Sequence, residues 1–198
     1  MLRFAIIGTG KISHTFMKAA LKVPGFKLEA VYSRSQDSGR AFGSVYGADK
    51  VYTTLKALGD DPEVDAVYIA SPNSSHCAQT VFMLEHGKHV LCEKPIASSA
   101  QELERMMKAA DGNGKILLEA MRPVFDPGFA KIKELLGQLG QIRRAVFQYC
   151  QYSSRYDAFK NGIIENAFNP ALSNAALMDI GVYRDRKSVV FGKSVDQR

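Results

Sequence analysis

From Leu2 to Ala120 the chain alternates short apolar runs with stretches of helical periodicity, and that alternation narrows its possible folds more than any other feature. Leu2 to Ile7 is almost wholly apolar, as a strand buried on both faces requires. Lys27 to Tyr32, Val51-Tyr52, Asp65 to Ala70, Val90 to Cys92 and Lys115 to Ala120 read as further strands, the last also buried. Helical patterns fall between them: Ile12 to Leu21, Ser35 to Tyr46 (weakened by Gly39 and Gly43), Thr54 to Gly59, Ser74 or Ser75 to Leu84, and Ala100 to Ala110. Pro24-Gly25, Gly87 and the capping residues Thr54 and Ser98 or Ser99 punctuate the pattern. In the helix after Ser99, the spacing predicts one face made of Leu103, Met106, Met107 and Ala110. Strands alternating with helices in this way predict an α/β fold with a doubly wound parallel sheet.

The pattern changes after Met121. Pro123, Pro127 and Gly128 mark a boundary, Phe129 to Leu136 is helical, and Gln141 to Tyr152 alternates like a strand with one face open. Asn169-Pro170 precedes a predicted helix from Ala171 to about Tyr183. The expected organisation is a nucleotide-binding domain over residues 1–122 and the start of a second α/β domain over 123–183. Residues 184–198 fit neither.

Composition excludes several classes. No apolar run approaches the roughly 20 residues of a membrane span, and with Met1-Leu2-Arg3-Phe4 leading into the first strand no signal peptide is expected. Half of the net charge of +6 sits in the last 15 residues, where Arg184, Arg186, Lys187, Lys193 and Arg198 face Asp185 and Asp196. The other basic residues are scattered, so no nucleic-acid footprint is expected. Cys77, Cys92 and Cys150 form no C-x-x-C pair, which fits reduced thiols in the cytoplasm. His86 and His89 flank a helix-breaking glycine and share no fixed face, so no metal site is expected.

The chemistry-bearing residues cluster at the ends of the predicted strands. Gly8-Thr9-Gly10-Lys11-Ile12 joins the first strand to the first helix, the arrangement of a phosphate-binding turn. Gly8 permits the tight turn and Gly10 lets backbone approach a pyrophosphate, while Ser13 stands where a third glycine is usual. At the end of the second strand, Ser33 and Arg34 replace the acidic residue that binds the ribose of NAD, which favours the extra phosphate of NADP while leaving NAD open. Ser71, Asn73 and His76 occupy the turn after the fourth strand, where a nicotinamide ribose is expected, although Ser-Pro-Asn is also ordinary turn chemistry. Glu93 and Lys94 end the fifth strand and Pro95 halts it, holding a cation at the ligand-binding edge of the sheet. Asp179 and Tyr183 are four apart and share one helix face, an arrangement that could position and deprotonate a hydroxyl but that by spacing alone fits a surface Asp and a buried Tyr better, and Gly181 between them suggests close packing.

Together the Ile6-Ile7-Gly8-Thr9-Gly10 turn, Ser71-Pro72-Asn73 with His76, Lys88 to Pro95, and Asp179-Ile180-Gly181-Val182-Tyr183 resemble the Gfo/Idh/MocA family of NAD(P)-dependent oxidoreductases. The resemblance implies a Rossmann domain followed by an α/β domain with an open-faced sheet, through which relatives often pair as homo-oligomers. It implies hydride transfer between the nicotinamide and a carbinol carbon of a sugar, polyol or cyclic diol. Lys94 would bond the reacting oxygen, Asp179 would orient, and Tyr183, where many members carry His, resembles the dihydrodiol dehydrogenase and glucose–fructose oxidoreductase branches. Arg122, Arg155 and Tyr156 are candidate substrate contacts. A reading from another class, a non-catalytic nucleotide-binding regulator, is disfavoured by the intact Lys94 and Tyr183 pair. The stretch Asp185 to Asp196 departs from the family and reads like a translated sequencing adapter, so the natural sequence is expected to depart near Tyr183 and to continue longer.

Overall fold

The computed structural model describes residues 1–144, 146, 148, 150 and 152–183. Its contacts divide into two units, Met1–Ala120 and a second beginning at Met121.

The first unit is built on six parallel strands: β1 (Leu2–Ile7), β2 (Phe26–Tyr32), β3 (Lys50–Tyr52), β4 (Ala66–Ile69), β5 (His89–Cys92) and β6 (Leu117–Glu119). Their spatial order is β3-β2-β1-β4-β5-β6. This is the doubly wound dinucleotide-binding order, with its switch point between β1 and β4. β1 runs parallel to both of these neighbours, Phe4 opposite Ala66 and Ile7 opposite Ile69 on one side, Ile7 opposite Tyr32 on the other. Its apolar run follows from that central place, because a strand with helices over both faces has no solvent side.

The helices are α1 (Lys11–Ala20), α2 (Gln36–Tyr46), α3 (Leu55–Gly59), α4 (His76–Glu85) and α5 (Ala100–Gly112). On one sheet face Ala5, Ile7, Val67, Ile69, Val90 and Cys92 pack with Leu58, Met83, Leu84 and Ala110. On the other, Ile6, Leu28, Val31 and Tyr68 pack with Met17 and Phe42. Side chains start three helices: Thr54 accepts from Ala57 N and Ser99 from Glu102 N, as expected, and Ser35 accepts from Ser38 N.

Three expectations need correction. The glycines of α2 are what seat it, since a Cβ at Gly39 would collide with Val51 and one at Gly43 with the Ala48 carbonyl. In α5, Met106 and Ala110 are buried but Met107 is 53 % exposed, while Ala109 packs on the core. β6 is not a buried strand: among the described residues it pairs with β5 alone, and Ile116 and Leu118 are exposed.

The second unit contains α6 (Pro127–Leu135), capped by Asp126, and α7 (Tyr156–Lys160). Tyr152, Tyr156, Phe159 and Phe168 form a chain of ring contacts around α7, with centroids 5.1 to 6.4 Å apart. The expected strand over 141–152 falls partly on Ala145, Phe147, Tyr149 and Gln151, which lie outside the described residues, as do residues 184–198. The single helix expected from Ala171 to Tyr183 is interrupted. Ser173 adopts a left-handed φ of 55°, and a π-helix occupies Leu177–Gly181.

Candidate functional site

The carboxyl ends of β1, β4 and β5 adjoin at the switch point, and the sequence places a turn after each. Gly8 has φ +102°, a conformation L side chains rarely adopt, and a Cβ there would stand 2.6 Å from the Ala70 carbonyl oxygen. The turn after β1 can therefore approach the turn after β4 only with glycine at this position. Buried Ser13 donates to Gly8 O at 2.7 Å, locking the turn. Its place in the motif thus needs a hydroxyl, a role its small size alone did not reveal.

Gly10 is the N-cap of α1, and no side chain caps that helix. A Cβ on Gly10 would meet nothing within 4 Å. Among the described residues, then, the space beside Gly10 is open at the α1 amino terminus, where amides and the helix dipole attract a phosphate. No acidic residue stands in the first turn of α1. A dinucleotide's pyrophosphate fits these features.

At the end of β2, Ser33 and Arg34 separate. Ser33 is buried with its hydroxyl 2.6 Å from that of Ser38, whereas Arg34 is exposed. Ser33 thus shapes the turn, and Arg34 is the residue of the two that can meet an incoming phosphate. Thr9, Lys11 and Ile12 lie on the glycine turn and the start of α1, as expected.

After β4, Ser71 donates its hydroxyl to Gln79 Oε1 at 2.6 Å, and Asn73 opens a short 3-10 turn. His76 differs from expectation. It is fully buried, with Nδ1 2.9 Å from Pro95 O and Nε2 3.0 Å from Ser71 O. Both nitrogens face backbone carbonyls at hydrogen-bond distance, so the ring packs between two turns rather than offering a nitrogen to a ribose. Burial pushes its pKa below the usual histidine value, against the two carbonyls and the nearby Glu93 and Glu102, which favour the charged ring.

After β5, Glu93 accepts from Tyr68 Oη at 2.6 Å and from Lys94 N at 3.1 Å. Lys94 is half-buried, and the Lys94–Pro95 bond is cis. Ile96 N donates to Glu119 Oε1 at 3.0 Å. Neither Tyr68 nor Glu119 carries a sequence signal for supporting this turn. Tyr68 reads as a core strand residue, and only the pairing of β4 with β5 shows its hydroxyl beside Glu93. Cys92, at the end of β5, is buried and its thiol is pushed up to about 12, so it is no nucleophile.

In the second unit, Asp179 belongs to the π-helix, its N–H donating to Ala175 O at 2.9 Å, and Tyr183 follows in the same helical segment; both are half-buried. A π segment inside a helix often marks a functional position. The close packing suspected at Gly181 comes from Leu177, one turn earlier. Arg122 is exposed. Arg155 lies 3.0 Å from Glu165, and Tyr156 is part of the aromatic chain, so both have roles within their own unit. His86 and His89 turn to backbone groups of Phe82 and Ile116. No helix among the described residues is long and apolar enough to cross a membrane.

Comparison with known proteins sharpens this geometry. The model of the Gfo/Idh/MocA oxidoreductase family, with an NAD-binding Rossmann fold, matches residues 2–121. Scyllo-inositol 2-dehydrogenase (NADP(+)) IolU of Bacillus subtilis is 49% identical over 197 residues, which cover 99% of this chain and 60% of that protein. Trans-1,2-dihydrobenzene-1,2-diol dehydrogenase of Danio rerio is 32% identical over 184 residues, 92% of this chain and 53% of the relative. Among solved structures, KijD10, a 3-ketoreductase from Actinomadura kijaniata in complex with NADP and TDP-benzene, superposes with a TM-score of 0.79 at 27% identity over 96% of this chain and 57% of that one. The chain thus spans 53 to 60% of the length of these proteins.

Proposed function

The chain belongs to the Gfo/Idh/MocA oxidoreductase family, and from that membership we propose that it is part of an NADP-preferring oxidoreductase acting on a CH–OH group of a sugar, polyol or cyclic diol. Residues 1–122 serve as the nucleotide-binding domain and 123–183 begin the substrate domain. The relatives named as inositol and dihydrodiol dehydrogenases, and the NADP-bound ketoreductase, support the substrate class and the cofactor.

NADP, when bound, supplies or accepts the hydride. Gly8, Thr9 and Gly10 line its pyrophosphate, with the amides of Lys11 and Ile12 at the α1 amino terminus. Arg34 pairs with the 2′-phosphate, on a turn shaped by Ser33, and Ser71 and Asn73 border the ribose beside the reactive ring. Glu93 fixes the backbone of Lys94. Lys94 hydrogen-bonds the reacting oxygen, stabilising negative charge as it develops. Tyr183 gives or takes the hydroxyl proton and Asp179 orients the reacting groups.

The observation that carries this reading is the turn after β1, a glycine at φ +102° leading to an uncapped helix with open space beside Gly10. Its test is a fluorescence titration with NADPH and NADH. NADPH is expected to bind more tightly, and Arg34→Asp to weaken it by about 10- to 100-fold, the worth of one charge-assisted hydrogen bond. Equal binding of both cofactors to the unaltered and altered chains would remove the assignment of Arg34. Turnover of the longer homologous form on a panel of polyols and diols separates an enzyme from a regulator that binds without reacting.

A further inference from the structure

Residues Glu93 to Ile96 carry Lys94 away from the sheet, and side chains from three other elements hold them. Tyr68 of β4, its ring stacked on Phe16 with centroids 3.9 Å apart, grips Glu93. Glu119 of β6 takes the amide of Ile96. His76, the first residue of α4, takes the carbonyl of Pro95.

The histidine contact differs in kind from the other two. A carboxylate that accepts an amide or a phenol holds one point of the loop. The His76 ring spans two points, Pro95 O beside Lys94 and Ser71 O at the end of β4. Both are carbonyl oxygens, which only accept. A neutral ring donates to one of them and a protonated ring to both. The imidazole also has no solvent-accessible surface, so no cofactor or substrate atom reaches it in this arrangement. Leucine would fill a similar volume without a donor, and glutamine would keep a donor on a flexible stem.

We propose that His76 is a positioning residue, whose ring sits between Pro95 O and Ser71 O, donating to one and packed against the other, and so fixes where Lys94 stands relative to the Ser71–Asn73 turn. The proposal deepens the functional reading above, because it gives the placement of Lys94 a purpose only if Lys94 meets the reacting oxygen. Its effect on rate would come through geometry, where a displacement of about 1 Å at the reacting groups can cost on the order of 100-fold.

The test uses the 198-residue chain itself. Isotope-labelled reductive methylation gives each lysine an NMR signal, and Lys94→Arg identifies that of Lys94. His76→Leu is expected to shift the Lys94 signal while the other lysine signals stay close to those of the unaltered chain. His76→Gln is expected to return the signal part of the way. An unmoved Lys94 signal would overturn the proposal. So would a general shift of all lysine signals with loss of NADPH binding, which describes a residue needed only for folding. If the leucine variant does not fold, the glutamine variant decides alone, with an intermediate shift expected and no shift overturning the proposal. The lysine signal needs no cofactor, so failure of the unaltered chain to bind NADPH would strike the functional reading and leave this one standing.

Discussion

Ile6, Leu58, Val67, Ile69 and Leu84 of the first unit have no exposed surface, whereas none of the described residues from Arg122 to Tyr183 is buried. Both stretches are rich in apolar side chains. The first has six strands, with helices over both sheet faces at its centre. The α-helices described in the second have nine and five residues, none of them buried. Phe125, Ile132, Phe159, Ile163 and Ile164 accordingly remain exposed. An apolar residue contributes to stability through the surface that its neighbours remove from water, so similar compositions yield different cores.

The largest effect should come from cutting into the sheet's helical cover. Leu84→Ala is expected to cost about 2–5 kcal/mol in a denaturant titration, the range for deleting a buried leucine. Lys88 comes next. It is 6 % exposed and donates to the carbonyls of Asp61 and Val64. Lys88→Met would take the ammonium from both, leaving Asp61 O with the Val64 amide at 3.3 Å, and is expected to cost about 1–3 kcal/mol.

A smaller effect is expected from acid. The Arg3 side chain and backbone amide hold Asp65 at about 2, below the usual 3.8. The folded state lowers this pKa, so the pair's stabilisation is complete above 3.8 and drains as pH falls toward 2. Arg3→Gln should flatten the acid limb of a plot of melting temperature against pH. The smallest loss belongs to the second unit, where Phe159→Ala removes ring contacts that are 45 % exposed and is expected to cost about 1 kcal/mol or less. A Phe159 loss equal to that of Leu84 would break the contrast between the units. Slow amide exchange confined to β1, β4 and β5 would sharpen it.

Where the sequence could be read and where it could not follows the same division. The six strands of the first unit lie within a few residues of the apolar runs that predicted them, because a parallel strand's pattern is short and continuous and needs only local inspection. Thr54 and Ser99 cap their helices as read, since a cap bonds within three residues. Met107 was misplaced because helical spacing gives the direction of a face but not the width of its cover. β6 was misread as buried because an apolar run does not reveal that a strand stands at a sheet's edge. The helix before Tyr183 escaped because a left-handed serine and a π segment have no periodic signature.

The sequence by itself determined the alternation of strand and helix, the glycine turn after β1 and the lysine at the end of β5, all of which depend on residues close together in the chain. Only the tertiary structure decided that Ser13 locks that turn, that Ser33 faces inward while Arg34 faces out, and that Tyr68, His76 and Glu119 hold the loop around Lys94. Those contacts join residues up to 25 positions apart. Those around Lys94 exist because parallel strands, ordered about a switch point, bring the ends of β4, β5 and β6 side by side.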